Sequence, residues 1–213
     1  MAEDIIAQLD QAEAFKQQGN AFFKEGNFKR ALGNYHKVFC YVNGLQMPGE
    51  SNQVASCAQM MGRSVTGGQV PKERVEEVKR LKQSTHLNMA ACYLKMGAHQ
   101  KCVESCSKAL ADGDLPKAYF RRGQAHLELR NLDEAKEDLQ KTLALEPDDK
   151  ATEQQLKRLK QAYAQHDAKE KKRFARMFSK MAEQEPEGEA SQKAPEAPEA
   201  SEAPKDGAEA VAA

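Results

Sequence analysis

An all-α solenoid is the fold this sequence predicts: three helix-turn-helix repeats forming a right-handed superhelix, closed by a long C-terminal capping helix. Three observations carry it. Segments 12–46, 83–115 and 116–149 share a period of about 34 residues. In the first, Phe15, Gly19, Phe22, Gly26 and Ala31 fall at offsets 4, 8, 11, 15 and 20; in the third, Tyr119, Gly123, His126, Ala135 and Pro147 fall at 4, 8, 11, 20 and 32. The second keeps Ala90 at 8, Gly97 at 15 and Cys102 at 20. Small residues at 8 and 20 let two antiparallel helices approach closely, and bulky ones at 24 (Tyr35, Leu139) fill the space between. Composition agrees: 30% of the 213 residues are charged, 6% are aromatic and Trp is absent, which suits an exposed helical stack better than a thick core.

The elements follow in order. Asp4 to Gly26 reads as the first helix of repeat one and Phe28 to Asn43 as its partner. Residues 46–70 are rich in Gly, Ser, Gln and Met and contain Gly67-Gly68, so an irregular insertion is expected there. The helical pattern returns at Lys72 and runs to Met96, with Val75, Val78, Leu81 and Leu87 apolar. His99 to Ala111 is its partner, and repeat three follows without a break. Residues 150–181 read as a capping helix, needed because the last repeat of a stack otherwise leaves an apolar edge bare. Leu156, Leu159 and Tyr163 in its first half are expected to pack on repeat three, with Phe174 to Met181 projecting beyond. From 182 to 213 the chain is Glu, Ala, Pro and Ser, with repeated Ala-Pro-Glu-Ala. That tail cannot bury enough apolar area to offset its ordering entropy, so it is expected to be disordered.

Five polar residues form the candidate site. Lys16 and Asn20 lie four apart on one face of the first helix, and Lys117 and Arg121 repeat that spacing in the third segment. Asn88 occupies offset 6 of the second segment, the same offset as Arg121 in the third. First helices line the inner wall of such a stack, so the five are expected to converge. Arg121 can hold a carboxylate in a two-pronged grip, the lysines supply point charge, and the Asn amides can donate to carboxylates or peptide carbonyls.

The pattern Lys16-x-x-Gly19-Asn20, then Asn88, then Lys117-x-x-x-Arg121 resembles the two-carboxylate clamp of tetratricopeptide co-chaperones. The resemblance spans roughly residues 8–180. It implies that the groove binds the extreme C-terminus, Glu-Glu-Val-Asp, of Hsp90 or Hsp70. On that likeness Lys16, Asn20 and Asn88 hold the terminal main-chain carboxylate, while Lys117 and Arg121 engage a side-chain carboxylate and an upstream carbonyl. Within the class the chain resembles the repeat half of large immunophilins, through its first repeat and the helix Lys169 to Phe178. It also resembles the small tetratricopeptide repeat protein 9 family, through Asn34-Tyr35-His36-Lys37 to Gly44-Leu45 and the insertion that follows. Length and insertion favour the second, or an immunophilin-like relative without its catalytic half, so no prolyl-isomerase domain is expected. A general interaction scaffold with no chaperone link is the alternative.

Other chemistry is not expected. Lys plus Arg and Asp plus Glu balance at 32 each, so no global charge argues for nucleic acid. No run of about 18 apolar residues or secretory leader is seen, and five Cys without a regular framework suit a reducing compartment, cytoplasmic or nuclear. Cys102 and Cys106, four apart, fall where packed small residues belong and have no partners for a tetrahedral metal site. His126 takes an aromatic's place and reads as structural. Gly67-Gly68 lacks a following Lys-Ser/Thr, so it is no phosphate loop, and no catalytic triad or cofactor is expected. From Lys157 to Lys180 nine basic residues stand against Asp167 and Glu170, with Phe174, Met177, Phe178 and Met181 as an apolar stripe. Such a helix reads as a calmodulin-type target for a second partner, a membrane-surface segment or a solvated cap.

Overall fold

The computed structural model describes residues 2–43, 45 and 70–184. The expected insertion, apart from its last residue Val70, and the expected tail beyond Gln184 lie outside the described residues. Seven α-helices form among those described: α1 (Ala2–Lys24), α2 (Phe28–Val42), α3 (Val75–Lys95), α4 (His99–Leu110), α5 (Pro116–Glu128), α6 (Leu132–Leu145) and α7 (Lys150–Gln184). A 3₁₀ turn, Lys72–Arg74, leads into α3. The chain divides into two units, residues 1–169 and 170–213.

In the first unit, α1 pairs with α2, α3 with α4 and α5 with α6, and successive pairs pack through α2 on α3 and α4 on α5. The first helices also meet, α1 on α3 and α3 on α5, so they form one wall. The offsets that define the repeat do what their sizes require. A Cβ on Gly19 would lie 2.5 Å from the Tyr35 ring, and one on Gly123 would lie 3.1 Å from Leu139 Cγ. These are the close approaches between first and second helices, and Tyr35 and Leu139 are buried in them.

Each first helix ends in the same way. Asn27 N donates to Phe22 O, Ala98 N to Tyr93 O and Asn131 N to His126 O, at 2.8–2.9 Å. These bonds satisfy orphan carbonyls of the last turn and require a left-handed residue before each donor. Gly26 (φ +77°) and Gly97 (φ +71°) supply it freely, whereas repeat three puts Arg130 there at φ +65°.

The core runs through the stack as linked clusters. Ile5, Leu9, Ala12, Val38, Val42, Leu45, Val70, Val78 and Leu81 form the first, so both flanks of the insertion are buried in one place. Val70, the last residue of the expected insertion, is buried in this cluster. Cys102 and Cys106 are fully buried with Ala90 and Ala125, their sulfurs 4.0 Å apart, as packing rather than as an open ligand pair. Leu159 and Ala162 of α7, with Leu156 and Tyr163 beside them, cover Leu127, Leu132, Ala135 and Leu139 of repeat three. Tyr163 Oη donates to Asp133 Oδ1 at 2.6 Å and locks the cap in register.

In the second unit, α7 continues to Gln184, three residues past the expected end at Met181. Phe174, Met177, Phe178 and Met181 are 50%, 46%, 63% and 57% exposed there.

Candidate functional site

Three consecutive first helices bring Asn20, Asn88 and Arg121 to one cavity of about 330 Å³. Its remaining walls are Phe23, Lys24, Tyr35 and Ala91. Asn20 is the hub. Its Oδ1 accepts from Asn88 Nδ2 at 2.9 Å and from Tyr35 Oη at 2.8 Å. With its acceptor filled twice, the amide NH₂ is what Asn20 retains for a ligand. Burial pushes the Tyr35 hydroxyl up to about 12, so at neutral pH it remains a donor that fixes this amide orientation.

Arg121 is also placed rather than free. Its Nη1 donates to the Leu87 carbonyl at 2.8 Å, which ties α5 to α3 beside Asn88 and leaves the other guanidinium N–H groups unspent. Its neighbour Arg122 points into the structure, gripping the buried Asp138 carboxylate through Nε and Nη2 at 2.8 and 2.7 Å. Adjacent arginines thus have separate tasks, one joining α5 to α6 and one facing the groove. The cavity holds amide and guanidinium donors and one Lys, and among the described residues no Asp or Glu lines it. Such a surface suits an anion with directional acceptors, a carboxylate above all.

The other two expected residues stand apart from this cavity. Lys117 is exposed on α5, one turn before Arg121, and is not among the lining residues. Lys16, one turn before Asn20 on α1, lines a neighbouring chamber of about 620 Å³. There its Nζ pairs with Glu13 at 2.8 Å, and Asp10, Glu73, Glu76, Glu77 and Arg80 also line the chamber. Lys24 and the apolar walls Phe23 and Ala91 were not anticipated from the sequence. The signal for Lys24 was present, because Lys16, Asn20 and Lys24 continue one four-residue ladder along α1.

Three antiparallel helix pairs with this spacing, inner wall and cap define a tetratricopeptide-repeat domain. The Tetratricopeptide repeat family matches residues 116–149 directly. Mouse "Peptidyl-prolyl cis-trans isomerase FKBP4" is 36% identical over 178 residues, which is 83% of this chain and 34% of that protein. The chain therefore spans about a third of the length of this curated relative. Among solved structures, the Hsp90 co-chaperone Cns1 from Saccharomyces cerevisiae is similar with TM-score 0.59 and 25% identity, covering 82% of this chain and 46% of that one. The second tetratricopeptide domain of human RPAP3, solved in complex with the HSP70 peptide SGPTIEEVD, is similar with TM-score 0.50 and 25% identity, covering 73% and 98%.

Proposed function

We propose that this chain is a non-catalytic adaptor that binds the acidic C-terminal peptide of Hsp90 or Hsp70, ending Glu-Glu-Val-Asp, along the wall made by α1, α3 and α5. One observation carries the reading: three donor side chains from three successive repeats, Asn20, Asn88 and Arg121, meet at one cavity with no carboxylate among its described lining residues. Lys16, one turn before Asn20, and Lys117, one turn before Arg121, are proposed to add further charge. The likeness to Cns1 and to the peptide-bound RPAP3 domain supports the choice of ligand. The isomerase activity in the name of FKBP4 is not part of the proposal, since only about a third of that protein is matched. With such partners, the proposed location is the cytoplasm, or alternatively the nucleus.

Calorimetric titration of the full chain with the peptide SGPTIEEVD, and with the matching Hsp90 C-terminal peptide, tests this. Each is offered with a free and an amidated terminus. Binding that is lost on amidation is the expected result. Equal affinity for free and amidated forms would instead indicate a general interaction scaffold, with no carboxylate recognition.

A second partner is proposed for the helix Lys169 to Met181. The exposed Phe174, Met177, Phe178 and Met181 sit on a strongly basic helix, the pattern an acidic, Met-lined protein groove of the calmodulin type accepts. Calcium-dependent co-migration with calmodulin on a sizing column checks it.

A further inference from the structure

We infer that a groove between α2 and α4, on the far side of α3 from the cavity above, docks an amphipathic helix of a partner protein whose charges alternate acidic, basic, acidic. The inference does not rest on the carboxylate-binding reading. Asn88 and Ala91 of α3 line the first cavity, whereas His86, Met89 and Tyr93 of the same helix line another, of about 650 Å³. At about 100° per residue the two sets lie roughly half a turn apart, so the cavities sit on opposite sides of α3. Phe39 of α2 joins the floor of the second, its ring 4.3 Å from that of His86. Met89 is buried there, while Phe39 and Tyr93 are only half-buried, which leaves an apolar seat open to solvent.

The rim is set by α4. Lys101, Glu104 and Lys108 line the cavity and are exposed. They form one stripe, because steps of three and four residues return a helix to the same face. The ion pairs among the described residues lie elsewhere, so these three charges are unspent. They span about 10 Å along α4. A helix laid antiparallel to α4 has the same rise per residue. An acidic residue on it, a basic one four further on and an acidic one three beyond that meet Lys108, Glu104 and Lys101 in turn. Leucines on its neighbouring stripe then enter the seat of Phe39, His86, Met89 and Tyr93. A compact dianion such as phosphate fits less well, because between the two lysines it would lie against the Glu104 carboxylate. Exposed charge pairs set register more than strength, so the apolar seat supplies most of the affinity.

The probe is the helix AQELAQKLAELAQA, acetylated, amidated and held helical by a hydrocarbon staple on its outer face. With no free carboxyl terminus, it lacks the group that the first cavity is proposed to hold. The full chain is titrated by fluorescence anisotropy with this probe and with its charge-reversed form, AQKLAQELAKLAQA. The unaltered chain is expected to bind the first at least tenfold more tightly. Lys101→Glu, Glu104→Lys and Lys108→Glu together are expected to invert that preference, with circular dichroism and affinity for SGPTIEEVD unchanged. Serine in place of the probe's leucines is expected to weaken binding at least tenfold. Failure of either probe to bind, equal affinity for the two, or a reversed chain that keeps the original preference overturns the inference. The last result would place the probe elsewhere, on the basic helix Lys169 to Met181 for instance. Loss of SGPTIEEVD binding in the reversed chain would overturn the separation of the two faces. If the unaltered chain binds no SGPTIEEVD, the carboxylate reading fails and this inference stands or falls on the helix titrations.

Discussion

Asn20 shows how a single amide can be made specific. An Asn side chain offers both donor and acceptor, and unconstrained it would serve either kind of ligand. Here two donors converge on its oxygen, so its donor side is committed to the groove. The orientation depends on Tyr35, and Tyr35 depends on Gly19, whose missing Cβ makes room for the ring. Gly19→Ala should therefore cost about 1–3 kcal/mol of stability, the range for overpacking a filled core. It should also weaken peptide binding by disturbing Asn20. Chemical denaturation and peptide titration of the same variant check both halves. By contrast Arg121→Ala removes the proposed ligand contact and one tie to Leu87 while opening no core. A loss of about 1.5–3 kcal/mol in peptide affinity, the range for hydrogen bonds to charged groups, with a small change in melting temperature, is the expected outcome. An unchanged affinity in the Lys117→Ala, Arg121→Ala double variant would defeat the carboxylate reading.

At the scale of elements, the helix ends are the most informative parts. Three first helices stop with the same backbone bonds, yet only two have glycine at the left-handed position. Arg130 holds φ +65° with a side chain, a conformation that costs about 1–2 kcal/mol. Arg130→Gly should recover part of that, on the order of 0.5–1 kcal/mol after the extra freedom glycine gives the unfolded chain. Differential scanning calorimetry should register a higher melting temperature. The cap makes an opposite prediction. Leu156, Leu159, Ala162 and Tyr163 cover apolar surface of repeat three, each Å² worth about 25 cal/mol. Ending the chain after Pro147 should lower the melting temperature sharply and promote aggregation, while ending it after Lys169 keeps that cluster whole and should leave stability near that of the full chain.

These elements were readable from the sequence because each is set by local spacing. Small residues at offsets 8 and 20, and an apolar face on the cap, fix helix pairs without knowledge of distant partners. The site was readable in part. Asn20, Asn88 and Arg121 meet because each lies on a first helix, Asn88 and Arg121 at offset 6 of their repeats and Asn20 at offset 9 of the first. Lys16 is expected in the groove from its spacing to Asn20 and from the motif it shares with the clamp family. Its pairing depends on Glu13 and on the acidic start of α3, a surrounding that no residue spacing reveals. Lys24 lies on the same four-residue ladder, but spacing alone does not show which rung borders the cavity.

For the molecule as a whole, charge and acidity set how stability responds to solution conditions. His86 packs its ring 4.3 Å from Phe39, and its Nδ1 is buried with no hydrogen-bond partner among the described residues. Burial first, then the nearby Lys108 and Lys82, push its pKa down to about 4, with Asp112 opposing and His36 adding slightly. His126 is lowered too, chiefly by burial. Between about 4 and 6.5 the unfolded chain takes up a proton at His86 that the folded chain refuses. This contribution to stability is therefore complete above pH 6.5 and is lost as the pH falls toward 4, with a slope of at most about 1.4 kcal/mol per pH unit for one proton. Melting temperatures across that window should fall for the natural chain and fall less steeply for His86→Phe, which keeps the stacked ring and removes the proton site. A parallel decline in both would exclude His86 as the source.

The two buried residues that flank the insertion have a consequence for engineering. Leu45 and Val70 sit in one cluster with α1, α2 and α3, so the two anchors on either side of the joining segment are held at one place in the core. The cost of closing such a loop grows only with the logarithm of its length, about 0.6 kcal/mol per doubling. That junction is a socket for cargo. A fluorescent or enzymatic domain spliced between the two residues, with short flexible arms, should leave the wall made by α1, α3 and α5 intact, whereas a cut that discards either anchor should loosen the first repeat from the second.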